Sequence, residues 1–101
     1  MLFRSLSNPS RPRALFVMSD LQAFGAMKAA RQLALRLPDD VAILGFDDIE
    51  AADYMELTTI SQSLKESGRL AAELLLGRIE EPGRPLQNIQ LRVSVVERLS
   101  A

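Results

Sequence analysis

The sequence contains no cysteine and no histidine. Without cysteine, the chain can form neither a disulfide bond nor a thiolate-bound metal site. Without histidine, it lacks both the most frequent general base of enzymes and the commonest metal ligand. A zinc site would have to consist of carboxylates alone, whereas zinc sites in proteins are mostly built with nitrogen or sulfur ligands. We therefore expect neither a metal nor another cofactor.

Long hydrophobic runs and a strong charge imbalance are missing as well. No apolar stretch approaches the roughly 20 residues that a membrane span requires. The first four residues, Met-Leu-Phe-Arg, lack the apolar region of a signal peptide. The formal net charge is −1, so we expect no long-range attraction of this chain to nucleic acid or anionic lipid. These features predict no membrane partner.

The common enzyme motifs are also absent. The sequence has no glycine-rich phosphate loop and no nucleophile elbow, and the lack of histidine excludes a Ser-His-Asp triad. One enzymatic alternative is a small α/β enzyme with Asp47 as its nucleophile. In the sequence, however, Asp47 has no nearby lysine, histidine or metal-binding partner that would activate it. The prediction is therefore that the protein is not an enzyme.

What the chain does contain is 48% hydrophobic residues, the content of a globular core. Two uninterrupted apolar runs, residues 14–18 and 41–45, predict parallel strands that are covered on both faces. Between them, residues 21–37 are rich in good helix formers and are followed by Pro38, which stops a helix. Strand, helix and strand in this order form a right-handed βαβ unit. The sequence therefore predicts an α/β fold, a parallel sheet with flanking helices.

The second half of the chain predicts further elements. Residues 49–55 predict a helical turn, and residues 57–60 predict a strand. Ser63 and Glu66 have the spacing of a capping box, which predicts a helix that ends near residue 78. Apolar and polar residues alternate over residues 89–95, which predicts a final strand with one wet face, or an edge strand. The side chains of the long helix that we expect to face a core are Leu64, Ala71, Leu74, Leu75 and Ile79.

Polar side chains follow both predicted strands of the βαβ unit. Ser19 and Asp20 follow the first strand, and Asp47 and Asp48 follow the second. In open α/β sheets, ligands bind beyond the carboxyl ends of the strands. There, an ionised carboxylate can accept hydrogen bonds from ligand hydroxyl or amine groups. Capping of the following helices is the alternative role for these residues, and Gln62 could equally be an ordinary surface residue.

Four stretches, in this order, resemble segments of the lactose-repressor/galactose-repressor family of bacterial transcription regulators. They are residues 14–26 (ALFVMSDLQAFGA), 37–49 (LPDDVAILGFDDI), 57–62 (LTTISQ) and 96–100 (VERLS). The resemblance implies a periplasmic-binding-protein-like fold of type I, in which two α/β subdomains close on a ligand between them. In this family an N-terminal helix-turn-helix binds operator DNA.

The resemblance also implies that this chain is an incomplete fragment of the two-subdomain fold. DNA would be bound only through an N-terminal domain that is absent from the chain. The implied parts are the end of a truncated helix and a loop (1–13) and the C-terminal portion of the effector-binding domain (14–101). The second part divides into C-terminal subdomain (14–56), crossover (57–62), helix on the N-terminal subdomain (63–85) and terminal strand returning between the subdomains (86–101).

The implied function is the effector-sensing portion of a DNA-binding transcriptional regulator, with a sugar-type small molecule as effector. The alternative is a periplasmic sugar-binding protein of a transport system, which has the same fold. Many family members have asparagine at the position of Ser19, so the choice of ligand can differ here. The ligand-binding residues that the resemblance implies are Asp47, Ser19, Asp20, Gln62 and Phe46.

The resemblance further implies a homodimer. In the family, the loop after the second strand and the helix that begins near residue 21 form the dimer interface, so the candidate interface residues are Phe24, Met27 and Tyr54. Separately, the apolar residues at 74–76 and 93–96 need a partner surface, which predicts self-association of the isolated chain. Because half of the ligand cleft would be missing, we expect this chain alone to bind an effector weakly or not at all.

Overall fold

The computed structural model describes residues 2–101. Met1, with which the predicted segment 1–13 begins, lies outside the described residues. The described part of the chain alternates helices and strands, which confirms the predicted α/β class. The elements are α1 (Leu2–Ser7), β1 (Ala14–Phe16), α2 (Asp20–Gln32), β2 (Ala42–Asp47), α3 (Glu50–Tyr54), β3 (Thr58–Ser61), α4 (Leu64–Glu80) and β4 (Ser94–Val96).

The four strands form one sheet in the order β1-β2-β3-β4. Strands β1 and β2 are parallel, as predicted, and β3 is parallel to β2, whereas β4 runs antiparallel to β3 and makes the sheet mixed. Strand β2 lies between two neighbours, and its Ile43 is fully buried. The uninterrupted apolar run that predicted this strand therefore corresponds to a strand at the centre of the sheet.

A core forms where α2 packs on the sheet. Small side chains of α2, among them Ala23 and Ala26, are fully buried, and they pack in one cluster with Ile43 of β2. Met27 belongs to the same cluster and is only 8% exposed. Met27 therefore contributes to this core, and its place in a dimer interface stays a prediction. A second cluster joins Leu6 of α1 to Ala29 and Ala30, near the C-terminal end of α2, and to Val41.

Helix α2 ends at Gln32, earlier than predicted. Ala34 adopts a left-handed conformation with φ 54°. The Leu35 N–H donates to Ala30 O at 2.9 Å, and the Ala34 N–H donates to Arg31 O at 3.1 Å. This is a Schellman motif, which usually has glycine in the left-handed position. The good helix formers that follow gave no sequence signal for the stop, because alanine occupies the place of that glycine.

Helix α4 extends away from the sheet. The radius of gyration is 18.3 Å and the longest dimension is 60 Å, whereas a compact domain of this length has a radius of gyration of about 13 Å. Of the residues of α4, all of them described, only Gly77 is buried. The prediction that Leu64, Leu75 and Ile79 face a core is wrong for this chain, because these side chains are 51%, 62% and 65% exposed.

Within residues 2–101, no helix has the length and apolar character to cross a membrane.

The predicted capping box at the start of α4 is also wrong. Ser63 has a left-handed backbone with φ 53°, and its side chain makes no capping hydrogen bond. Glu66 instead forms an ion pair with Arg69, which also pairs with Glu73. The hydrogen bond from Arg69 holds the pKa of the Glu66 carboxyl below its usual range. Glu66 therefore takes part in a charge pair on the helix surface and not in the local cap that the spacing suggested.

The segment between α4 and β4 is less regular than predicted. Residues 86–93, all of which the structure describes, form no strand, and only Ser94–Val96 pair with β3. Part of this segment runs along α4 and leaves a groove of about 310 Å³ lined by residues that include Leu70, Leu74 and Ile89. The alternating pattern over 89–95 therefore reflects contact with α4 for part of its length, and strand β4 only at its end.

Candidate functional site

Two of the predicted ligand-binding residues meet at the carboxyl edge of the sheet. Asp47 is the last residue of β2 and lies opposite Ser61 of β3. The Gln62 Nε2 donates a hydrogen bond of 2.5 Å to Asp47 Oδ1, and both side chains are half-buried. A carboxylate and an amide side by side offer acceptors and a donor to a polar ligand. We take this pair as the centre of the candidate site.

Ser19 lies at the end of the neighbouring strand, where β1 leads into α2. It is half-buried, and its Oγ accepts a hydrogen bond of 3.2 Å from the Gln22 N–H. The capping role that the sequence left open for Ser19 is therefore present. Its hydroxyl proton takes no part in that bond, because the oxygen acts there as an acceptor.

Asp20 has a different environment. Its side chain is fully buried. Asp20 Oδ1 accepts a hydrogen bond of 2.5 Å from the Thr59 hydroxyl, and Oδ2 accepts one of 2.9 Å from the Ile49 N–H. Both oxygens are thus engaged inside the protein, in contrast to the direct ligand contact that was predicted. Asp20 instead joins the start of α2 to β3 and to the turn after β2.

The backbone at the end of β2 is strained. Asp47 has φ 118° and Asp48 has φ 57°, so two consecutive residues with side chains adopt positive φ. Aspartate tolerates the left-handed region better than most residues. Conformations of this kind still cost roughly 1–3 kcal/mol each, and they persist only where the surrounding structure holds them. The turn that carries Asp47 is therefore held in place by its neighbours.

Aromatic side chains lie at the same edge. Phe46 is half-buried and packs edge-to-face against Phe16, with ring centroids 6.2 Å apart and an interplanar angle of 73°. The Phe16 side chain is 60% exposed. The sequence indicated Phe46 but gave no signal for Phe16, because the predicted strand continued to residue 18 whereas β1 ends at Phe16. The pair adds an apolar surface to the polar edge of the site.

Arg98, near the end of the chain, supports the same turn. Its Nη2 lies 3.1 Å from Asp48 Oδ1, its Nη1 donates to Leu57 O at 2.9 Å, and its side chain is only 14% exposed. Its Nε also lies 3.4 Å from Oδ1 of the exposed Asp53. Sequence analysis noted Arg98 only as part of the closing segment that resembles the family. No local pattern indicated that it reaches back to the strand end.

Ser100 fixes the end of the chain between two strands. Its Oγ donates to Ile43 O at 2.6 Å and accepts from the Thr58 N–H at 2.8 Å. Its carbonyl oxygen accepts from the Ile43 N–H at 2.7 Å. Ser100 thus bridges β2 and β3 just before their own pairing begins at Leu44 and Thr58. The closing segment is consequently part of the sheet's framework.

The remaining interface candidates lie on different surfaces. Phe24 is half-buried against the core, whereas Tyr54 on α3 is 74% exposed. The Tyr54 hydroxyl donates to Glu50 Oε1 at 3.1 Å. Among the side chains of residues 2–101, no cluster of three or more acidic groups is arranged to hold a metal ion.

Comparison with known proteins gives consistent matches over the whole chain. Residues 1–101 match the family described as "Periplasmic binding protein-like domain". The chain is 44% identical to the ribose operon repressor of Escherichia coli K12 over 98 residues, which cover 95% of this chain and 30% of the repressor. It is 39% identical over 97 residues to the HTH-type transcriptional repressor PurR of Edwardsiella ictaluri, covering 94% of this chain and 28% of that protein.

A solved structure shows the same architecture. The LacI family transcriptional regulator from Enterococcus faecium, with bound ribose, superposes with a TM-score of 0.90 at 31% identity, over 98% of this chain and 38% of that one. The chain thus spans about 30% of the length of the curated relatives that it matches. The resemblance found in the sequence is confirmed, and the chain belongs to the periplasmic binding protein-like domain family, as part of an effector domain of the lactose-repressor/galactose-repressor type.

Proposed function

We propose that the chain is the effector-sensing portion of a DNA-binding transcriptional regulator that responds to a small sugar. The observation that carries this proposal is the Asp47–Gln62 pair at the carboxyl edge of the sheet, beside the Phe16–Phe46 surface. Sugar hydroxyls pair with carboxylates and amides, while the C–H faces of a sugar pack on aromatic rings. Ribose is the first sugar to test, because one relative is a ribose operon repressor and a structural neighbour holds ribose.

The proposed roles of the site residues follow from their contacts. Asp47 accepts hydrogen bonds from sugar hydroxyls, and Gln62 donates or accepts next to it. Ser19 offers its hydroxyl proton from the neighbouring strand end. Phe46, packed on Phe16, supplies the apolar side of the site. Asp20 acts from inside the protein by fixing the turn after β2, because both of its oxygens already have protein partners.

Helix α4 and the segment that follows it, residues 81–93, are together called the arm. The arm fits the proposed domain arrangement. Residues 14–56 would form the C-terminal subdomain, 57–62 the crossover and 63–85 the helix that packs on an N-terminal subdomain, with 86–101 returning between the two. The exposed apolar side chains of α4 support this arrangement, since such faces mark contact surfaces. The proposed contacts of a homodimer are Tyr54 on α3, the half-buried Phe24 and Met27.

Signal transmission would follow from the position of Gln62. This residue lies directly between the last residue of β3 and Ser63, the residue that precedes α4. A ligand that engages Asp47 and Gln62 would favour one orientation of the arm relative to the sheet, and so one arrangement of the intact regulator. We infer a cytoplasmic protein without enzymatic activity, because the relatives are DNA-binding repressors.

The function can be tested on the full-length protein that contains this chain. Titration with D-ribose in a calorimeter should show binding, and Asp47→Asn should weaken it roughly 10- to 100-fold, because a hydrogen bond to a charged group contributes about 1.5–3 kcal/mol. The matched control is Asp39→Asn, which changes an exposed carboxylate in the turn after α2 and should leave affinity unchanged.

The same protein should bind a DNA fragment taken from upstream of its own gene, with an affinity that changes when the sugar is added. Failure to bind ribose, glucose and sucrose alike would contradict the sugar assignment. Sugar binding without any DNA binding would instead favour the transport-type binding protein.

The isolated chain should self-associate, because its α4 face is apolar and open. Leu75 and Ile79 lie one turn apart on this face and are 62% and 65% exposed. Sedimentation velocity at increasing concentration should show species larger than a monomer, and Leu75→Glu should reduce them several-fold. Leu99→Glu, at an equally exposed leucine outside α4, serves as the control. A single monomeric species across the concentration range would disprove this prediction.

A further inference from the structure

We propose that Arg98 is a positioning residue for the ligand site: it holds the Asp47 carboxylate in place through Asp48. The ligand-binding role of Asp47 rests on the proposed function, whereas the action of Arg98 on the turn rests on the contacts alone. Arg98 is the fourth residue from the end of the sequence. Its hydrogen bonds go to Thr58, Leu57 and Asp48, and not to Asp47 or Gln62.

The turn after β2 needs support from outside. Its two residues with positive φ, Asp47 and Asp48, would relax to commoner backbone angles in an unrestrained chain. Such relaxation would rotate the peptide units on either side of Asp47. The hydrogen bond of 2.5 Å between Gln62 Nε2 and Asp47 Oδ1 would then be lost, because hydrogen bonds weaken steeply with misalignment.

Two side chains from distant parts of the sequence hold this turn. Asp20 accepts from the Ile49 N–H and so fixes the backbone just after the strained pair. Arg98 binds the side chain of Asp48, one of the two strained residues, at 3.1 Å. The two contacts come from different parts of the fold and act on adjacent residues. Arg98 restrains the side chain of Asp48, and Asp20 restrains the backbone of Ile49.

Arg98 is itself firmly anchored, which a positioning residue requires. Its backbone N–H donates to Thr58 Oγ1 at 2.8 Å, and its backbone oxygen accepts from the same hydroxyl at 3.0 Å. Its guanidinium donates to Leu57 O as well as to Asp48. The planar guanidinium presents several donors in fixed directions and can satisfy both partners at once, whereas an ammonium group cannot reproduce that geometry.

Ser100 provides an internal control for a purely structural role. It lies two residues further along and is fully buried. The hydrogen bonds of its hydroxyl go to Ile43 and Thr58, near the starts of β2 and β3, and not to the turn that carries Asp47. Loss of the Ser100 hydroxyl should therefore reduce stability without disturbing the ligand site.

The side-chain amide of Gln62 reports directly on Asp47. In ¹H–¹⁵N spectra of the ligand-free chain, the Gln62 NH₂ resonances should lie away from those of the exposed Gln22 and Gln32. Arg98→Ala should move them towards the exposed positions, and Asp47→Ala, which removes the acceptor itself, should have the same effect. Ser100→Ala should leave them in place, and Arg98→Lys should give an intermediate shift. Asp48→Asn weakens the Arg98–Asp48 ion pair at its acidic partner. This second variant tests the positioning role if Arg98→Ala does not fold.

The positioning role is overturned if the Gln62 resonances stay in place in both Arg98→Ala and Asp48→Asn, or if Ser100→Ala moves them equally. In the full-length protein, Arg98→Ala should lower D-ribose affinity roughly tenfold and Ser100→Ala should not. If the unmodified protein binds no sugar at all, the proposed function fails, and the spectra of the ligand-free chain still decide whether Arg98 positions Asp47.

Discussion

Replacing Asp20 with alanine should lower the free energy of unfolding by about 3 kcal/mol. The change removes a fully buried carboxylate that accepts from the Thr59 hydroxyl and from the Ile49 N–H. Both donors would be left without this acceptor, and each buried unsatisfied group costs about 1–3 kcal/mol. A small cavity adds to the loss. Urea unfolding followed by circular dichroism measures the difference.

Two variants separate the contributions to this effect. Asp20→Asn keeps an oxygen that can accept from the Ile49 N–H. It also places an amide beside Thr59, whose hydroxyl can turn to accept from that amide. Asp20→Asn should therefore lower the free energy of unfolding by less than Asp20→Ala. Asp39→Ala removes an exposed carboxylate and should change stability by no more than about 0.5 kcal/mol. A loss below about 1 kcal/mol for Asp20→Ala would show that water replaces the carboxylate at little cost, and would contradict the structural role.

The position of Asp20 explains why sequence analysis assigned it a ligand contact. A polar pair after a strand and before a helix is typical both of a cap and of a ligand site, and the two roles cannot be distinguished locally. Its partners, Thr59 and Ile49, lie 39 and 29 residues further along the chain. Burial of Asp20 therefore depends on how β3 and the turn pack, which no short window of sequence contains.

The βαβ unit was predictable because its signals are local and strong. The apolar runs gave β1 and β2, and the composition between them gave α2, although the end of the helix was missed where alanine takes the left-handed position. The same pattern predicted that Asp47 and Ser19 follow two parallel strands. Both residues were therefore expected at the carboxyl edge of the sheet. General rules of sheet topology therefore located the candidate site before any side-chain contact was known.

The parts that were mispredicted or missed depend on distant partners. The helical spacing in α4 shows which side chains share a face, and sequence alone does not show what covers that face. In this chain, Leu64 and Leu75 are exposed. Arg98 and Ser100 belong to a short closing segment with no periodicity, yet they bind residues more than 39 positions away. Their roles follow from the fold and not from the pattern.

The second large effect should come from Gly45→Ala, with a loss of about 3 kcal/mol in the free energy of unfolding. A Cβ at this position would lie 2.9 Å from Leu57 Cδ2 and 3.3 Å from Thr59 Oγ1, and still closer to Asp20 Oδ1. All three neighbours are fully buried. Asp20 cannot move aside without loosening its hydrogen bonds to Thr59 and Ile49, so the close approach of β2 to this carboxylate requires glycine.

Gly25→Ala is the matched control, with an effect of opposite sign. Gly25 lies inside α2, and apart from its chain neighbours and the backbone of its own helix a Cβ there would meet no atom within 4 Å, so alanine should stabilise the helix by up to about 1 kcal/mol. Equal losses at both positions would contradict the steric argument, because only one of the two sites is crowded. Urea unfolding of the two variants side by side gives this comparison.

A double-mutant cycle tests whether the crowding at Gly45 comes from Asp20 itself. In the Asp20→Ala background, the space that a Cβ at position 45 needs is already open, so the second substitution should cost less than it does alone. The combined loss should fall short of the sum by about 1 kcal/mol or more, as expected for residues in direct contact. Strict additivity would mean that Leu57 and Thr59 cause the strain. A large coupling would instead show that Gly45 permits the buried carboxylate of Asp20, which in turn holds the turn that presents Asp47.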